Sequence, residues 1–167
     1  MSCRINIKLE TLCQKQSLKI LSKIRYLKSS DIEAIYELYR KVKSAYLWPI
    51  GGDWQIPQFL QVIEKKQVIG SFSQQNGLLS FVIFKRLDDD CDILLIITQS
   101  ERQKQGYMKE LLTTLMKQEK AKTYFVEVHE KNIGAIEFYK KLSFEQVGMR
   151  KDFYGQGQNA YLLAKKG

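Results

Sequence analysis

The chain has 167 residues and a formal net charge of +9, which bounds it to one domain with a single good core and suits an anionic ligand or RNA-rich surroundings, although a solvated basic surface explains the excess equally well. Cys3, Cys13 and Cys91 show neither metal-ligand spacing nor a paired framework, so no metal is expected, and free thiols fit a cytoplasmic location. No apolar run is long enough for a bilayer and the basic first residues lack the apolar stretch of a secretory signal, so no membrane partner is expected; direct DNA binding is not expected either.

Residues 1–22 read as an extension with no assignable element, and the domain proper is expected over 23–167. Residues 24–27 read as a first strand. Ser30 and Glu33 have capping-box spacing, and Ile32, Ile35, Tyr36, Leu38, Tyr39 and Val42 then recur at helical intervals. Trp48-Pro49 ends that run, and a short helix with Pro57 in its first turn is expected over 56–64. The period then becomes that of strands, over 68–73, 78–87 and 92–98, joined by the polar turns Gln75-Asn76-Gly77 and Asp88-Asp89-Asp90. A turn, Gln103-Lys-Gln-Gly-Tyr-Met108, opens a helix whose apolar face carries Met108, Leu111, Leu112, Leu115 and Met116. A strand over 124–129, a helix capped by Asn132 and carrying Ile133, Ile136, Phe138 and Leu142, and strands near 144–153 and 158–164 complete the chain. The order predicts an α+β fold, with a mixed, mostly antiparallel sheet and helices on both faces.

The turn at 103–108 is the most informative stretch. A helix start has free backbone N–H groups and partial positive charge, so a Gly-containing turn before it cradles phosphate well. Lys104 and Lys109 add full charges. One glycine is weak evidence alone, and neither a Walker loop nor a dinucleotide fingerprint is present.

A second block, running from Phe125 through Asn132, Ala135, Phe138 and Tyr139 to Phe144, adds to it. Together the two blocks resemble the signatures of the GNAT acetyltransferase family, and most closely its ribosomal-protein alanine N-acetyltransferase branch. Gln103 and Gly106 match the first signature, Gln/Arg-x-x-Gly-x-Gly/Ala, with Met108 in place of the small residue. Asn132, Ala135, Phe138, Tyr139 and Phe144 match the second, with Ser143 where glycine is usual.

The resemblance implies the GNAT fold and acetyl-CoA as co-substrate. It implies that Gln103, Lys104, Gln105, Gly106, Tyr107, Met108 and Lys109 hold the pyrophosphate. Ile96, Ile97 and Thr98 would meet the pantetheine arm through the backbone of a bulged strand, aided by the Asn132 side chain. Glu127 would be the general base, in a strand that reads as buried, where a carboxylate is costly without a partner or a task; by itself an edge-strand glutamate facing water is the commoner case. Tyr139 would be the general acid, though by spacing alone it reads as core. His129, Tyr154 and Trp48 would line the substrate side. The acceptor implied is a protein N-terminus, best a ribosomal one, with the enzyme working near the ribosome. A small-molecule amine, such as a polyamine, aminoglycoside or amino acid, is the alternative acceptor. From another class, a non-catalytic basic module binding RNA or ribosomes would be favoured if Met108 blocked the cofactor cleft.

Overall fold

The computed structural model describes residues 22–45 and 52–167. Residues 1–21 of the expected extension, with Cys3 and Cys13, and the Trp48-Pro49 pair lie outside the described residues.

Seven strands and four helices form the described fold: β1 Lys23–Tyr26, α1 Ile32–Ala45, α2 Ile56–Glu64, β2 Val68–Phe72, β3 Leu78–Leu87, β4 Asp90–Thr98, α3 Tyr107–Glu119, β5 Thr123–His129, α4 Ile133–Lys141, β6 Glu145–Arg150 and β7 Ala160–Lys166. They make one sheet in the order β1-β2-β3-β4-β5-β7-β6. Only the β4–β5 pairing is parallel, so the sheet is mixed and mostly antiparallel, as the chain order predicts.

Two apolar layers sandwich the sheet. On one face α1 and α2 bring Ile35, Leu38, Tyr39, Val42, Phe59 and Ile63 onto β2, β3 and β4. On the other, α3 and α4 bring Leu111, Leu112, Leu115, Ile136 and Tyr139 onto β3, β4, β5 and β7. Leu111, Leu112 and Leu115 are 0% exposed, and each such burial is worth roughly 2 kcal/mol. Cys91 sits inside the second layer, where burial pushes its thiol up to about 12. Among the described residues no helix is long and apolar enough to cross a membrane.

The structure corrects several local expectations. The capping box lies on the 3-10 turn Ser29–Asp31 that leads into α1 and not on the Ser30–Glu33 pair: Asp31 Oδ2 accepts the Lys28 backbone N–H at 2.8 Å. Asp31 also receives both Arg25 guanidinium nitrogens, at 2.7 and 2.9 Å, and this pairing holds its carboxyl below the usual carboxylate range. Asp90 belongs to β4, opposite Leu87, leaving a two-residue turn. β6 stops at Arg150, and residues 151–157 form a turn instead of continued strand. On α4, Ile133 is 62% exposed and faces solvent instead of the core.

Candidate active site

Strands β4 and β5 are paired only over residues 90–93 and 123–126. Beyond that point they fork. Residues 95–98 of β4 keep their β3 partners but have no strand on the other edge, which leaves main-chain donors and acceptors available to a ligand. The expected bulge is present in β4, at Leu94. Ile93 lies opposite Phe84 and Leu95 opposite Ile83, so Leu94 is an extra residue. A bulge reverses the facing of the residues beyond it. Cys91 and Ile93 therefore face the α3–α4 layer, whereas Leu95 and Ile97 face the α1–α2 layer.

A cleft of ≈ 370 Å³ fills the fork, lined by Leu94, Ile96, Glu127, His129, Tyr139 and Tyr154 among others. A groove of ≈ 440 Å³ adjoins it on the α3–α4 side and shares Ile96, Asn132 and Ala135 with it. Ile96, Thr98, Gln103, Lys104, Gly106, Tyr107, Met108, Lys109 and Asn132 all line this groove. Ile97 and Gln105 do not. The Ile97 side chain is 2% exposed in the opposite layer, so only its backbone faces the fork. The Gln105 amide donates to the Glu101 carbonyl at 2.8 Å.

The end of the groove is the N-terminus of α3. Its first internal bond runs from Glu110 N–H to Gly106 O at 3.0 Å, so the N–H groups of Tyr107, Met108 and Lys109 have no partner within the helix. Gly106 precedes them at φ +94°, and a Cβ built there meets nothing within 4 Å. That is an open, positively polarised cradle, with Arg102, Lys104, Lys109 and Lys141 around it. Met108 is 9% exposed and packs with the α3–α4 layer. Its side chain does not fill the cradle, which removes the basis for a module blocked at that position.

Asn132 is the N-cap of α4 and accepts the Ala135 N–H at 3.1 Å. Two turns further along, Tyr139 is 2% exposed, lines the fork and has a buried hydroxyl without a hydrogen-bond partner. Burial raises its phenol well above the ordinary tyrosine value, with Tyr154 nearby adding to the shift.

Glu127 is placed differently from the expectation. Its strand is buried, but its side chain is 29% exposed and forms an ion pair with Arg150. The cost of placing a carboxylate here is met by a guanidinium and partial hydration. Asp92 pairs in register with Phe125, two residues before Glu127, so the two carboxylates share a face of the sheet. Burial raises the Asp92 carboxyl, and the charge of Glu127 raises it further.

His129 is 3% exposed. Its Nδ1 accepts the Lys131 N–H at 3.1 Å, and its ring lies 5.1 Å from that of Tyr154. Tyr154 donates its hydroxyl to the Glu127 carbonyl at 3.3 Å, and burial, with Glu127 as a second cause, lifts its phenol to about 12. The turn carrying it is self-bonded: Asp152 Oδ1 accepts the Gly157 N–H at 2.6 Å, and Tyr154 N–H reaches Gln158 O at 3.1 Å.

Some lining residues gave no sequence signal. Gly52 and Trp54 reach the cleft because the buried Tyr39 hydroxyl donates to Gly52 O at 3.2 Å and accepts Trp54 N–H at 3.0 Å. Arg150 and Asp92 are ordinary strand residues until the sheet brings them beside Glu127. Among the described residues no group of three or more His, Cys, Asp or Glu could hold a metal ion.

The family model of the Acetyltransferase (GNAT) family matches residues 32–144, which spans α1 through the end of the α4 motif. The chain belongs to the GNAT acetyltransferase family. A relative within it, the [ribosomal protein bS18]-alanine N-acetyltransferase of Haemophilus ducreyi, is 29% identical over 145 residues, covering 80% of this chain and 97% of that protein. Among solved GNAT structures, the ribosomal-protein-S18-alanine N-acetyltransferase of Escherichia coli superposes with a TM-score of 0.73 at 22% identity, covering 87% of this chain and 94% of that one. The PaiA N-acetyltransferase of Thermoplasma acidophilum, solved in complex with coenzyme A, superposes with a TM-score of 0.71 at 21% identity, covering 87% and 99%. At these identities the structures show the GNAT fold.

Proposed function

We propose that this GNAT acetyltransferase uses acetyl-CoA to acetylate the α-amine of a protein N-terminus, best that of a ribosomal protein beginning with a small residue. The observation that carries the reaction is one continuous passage. It has a phosphate cradle at one end, and at the other a fork where Tyr139, whose buried hydroxyl has no hydrogen-bond partner, and Glu127 line the same cleft. The acceptor class rests on the relative that matches this chain over 97% of its own length.

The residues present fit acetyl-CoA. The free N–H groups at Tyr107, Met108 and Lys109 suit a pyrophosphate, and the open edge of β4 at Ile96, Ile97 and Thr98 suits an arm of alternating amides. Asn132 borders both the groove and the fork. When bound, acetyl-CoA supplies an acetyl group activated as a thioester. Backbone N–H groups of the β4 edge stabilise negative charge on the acetyl oxygen during transfer. Glu127, directly or through water, accepts the proton that the amine nitrogen loses as the C–N bond forms. Tyr139 supplies a proton to the departing sulfur as the C–S bond breaks. A phenol raised by burial is protonated throughout the working pH range, so Tyr139 is always loaded for that step. His129 and Tyr154 stack to form the acceptor-side wall.

An acceptor of this kind is made at the ribosome, which puts the enzyme in the cytoplasm and gives its +9 charge a use near ribosomal RNA.

The test is kcat/KM with acetyl-CoA for a panel: peptides beginning with Ala, Ser or a large residue, an N-terminally blocked peptide with one lysine, spermidine, an aminoglycoside and free amino acids. The small-first peptides are expected to lead. A lysine amine is roughly several hundredfold less deprotonated at neutral pH than an α-amine, so the blocked peptide should be acetylated poorly. A clear preference for a small amine would overturn the peptide assignment and leave the acetyltransferase intact.

A further inference from the structure

The carboxylate assigned to proton transfer is already occupied. Arg150 forms an ion pair with Glu127, from the last residue of β6, where its own side chain is 56% exposed. The guanidinium also lies over the Phe153 ring at 4.5 Å, and Phe153 lines the cleft. One arginine thus bridges the base and the acceptor-side wall. Without it the cleft would present the uncompensated carboxylate of Glu127, with Asp92 on the same face of the sheet close enough to feel its charge.

We propose that Arg150 is a specificity-determining residue: it cancels the charge that would draw polycationic amines to Glu127, and it releases Glu127 to an acceptor whose amine has a carbonyl oxygen beside it. The inference rests on the reading of Glu127 as the proton acceptor.

Three physical points support it. First, a guanidinium within contact distance removes most of the attraction that Glu127 holds for another cation. At close range in a partly hydrated site that attraction is worth about tenfold or more in binding. A linear polyamine therefore gains little from its extra charges. Second, the Arg150 side chain is anchored by stacking and one ion pair, at an exposed strand end, so it can turn away without disturbing the core. Third, a peptide N-terminus presents an ammonium and, three bonds away, a carbonyl oxygen. When the ammonium takes the place of the guanidinium at Glu127, the freed N–H groups of Arg150 can donate to that carbonyl. Arginine presents several donors in a plane and suits this exchange, whereas lysine supplies only the charge. A polyamine has no carbonyl to offer, so displacing Arg150 leaves the guanidinium without a partner.

The experiment compares the wild type, Arg150→Gln, Arg150→Lys and Glu127→Gln, using an alanine-first peptide and spermidine as acceptors. Thermal melts check that each variant is folded. Arg150→Gln is expected to raise KM for the peptide several-fold with kcat within about threefold, and to raise kcat/KM for spermidine about tenfold. Arg150→Lys is expected to keep spermidine excluded but not to recover the peptide KM. A peptide-to-spermidine ratio unchanged in Arg150→Gln overturns the proposal. Glu127→Gln separates this from the parent reading. If that variant is slow while the ratio in Arg150→Gln is unchanged, only the role of Arg150 fails. If Glu127→Gln is as fast as the wild type, the reading of Glu127 fails and the inference falls with it.

Discussion

The Tyr139 ring meets Phe138 and Phe144 edge-on, at centroid distances of 5.3 and 5.2 Å, so most of the side chain is core. Its hydroxyl is the exception. A buried hydroxyl without a partner costs about 1–3 kcal/mol, which a purely structural position would have shed as phenylalanine. Tyr139→Phe is therefore expected to leave the fold intact, to raise the melting temperature by about 2–4 °C if about 1 kcal/mol of that cost is relieved, and to slow single-turnover acetylation by about a hundredfold, the lower end for loss of a general acid. Undiminished single-turnover rates would assign the proton to water. The other single residue that departs from its expected setting is Glu127. Its strand neighbours Val126 and Val128 are 6% and 4% exposed, yet Glu127 itself points to the half-open face and finds Arg150. Alternation predicts the buried faces of Val126 and Val128 correctly. Only the β6–β7 pairing, which sets Arg150 against Ala160, supplies the counter-charge.

Two helix ends are built around a left-handed residue, one beside the site and one behind it. At the start of α3, Gly106 has φ +94° and open space where a Cβ would stand. Gly106→Asp meets no clash, but it puts an L-residue in a disfavoured region and a negative charge where phosphate is to sit. Calorimetry should show acetyl-CoA affinity reduced about tenfold or more, near 1.4 kcal/mol. Wild-type affinity would move the pyrophosphate site elsewhere. At the end of α4, Phe144 N–H reaches Tyr139 O at 3.1 Å and Ser143 N–H reaches Lys140 O at 2.9 Å, with Ser143 at φ +65°. This is a Schellman cap, and the Tyr139–Phe144 ring contact is its apolar clasp. The position where the family usually has glycine is therefore a backbone position that favours glycine. The left-handed cost for serine is about 1–2 kcal/mol, partly offset by the chain entropy that glycine gives up. Ser143→Gly should thus stabilise the protein by roughly 0.5–1 kcal/mol, seen as a higher urea midpoint with unchanged slope, and leave acetyl transfer as it is. A lower midpoint would show that the serine side chain does something in the folded state.

At the scale of the whole molecule, the passage exists because the sheet is not uniform. β4 pairs with β3 along its full length but with β5 for only four residues. The bulge at Leu94 turns the apolar residues after it toward α1 and α2, so the same strand serves one core at its start and the other at its end. The fork and the bulge occur together, since a strand that switches layers bends away from its parallel neighbour. Helices cover both faces near β2, β3 and β4 but leave the fork open, and the turn at 151–157 closes one side of it with Phe153 and Tyr154.

The sequence by itself determined the α+β order, most of the apolar helix faces, the Asn132 cap, the glycine turn that opens α3 and the family. Each of these is encoded locally, in periodicities of two or 3.6 residues and in short fixed spacings that do not depend on distant contacts. The tertiary structure alone decided that Asp31 rather than Ser30 caps the approach to α1, because Arg25 comes from β1 to pair with it. It also decided that Ile133 faces solvent, that the Met108 side chain packs into the core while its backbone stays at the cradle, and that Glu127 meets Arg150, which is 23 residues away in the chain. These outcomes depend on which strands become neighbours and where their pairing stops, and no local pattern of side chains specifies that.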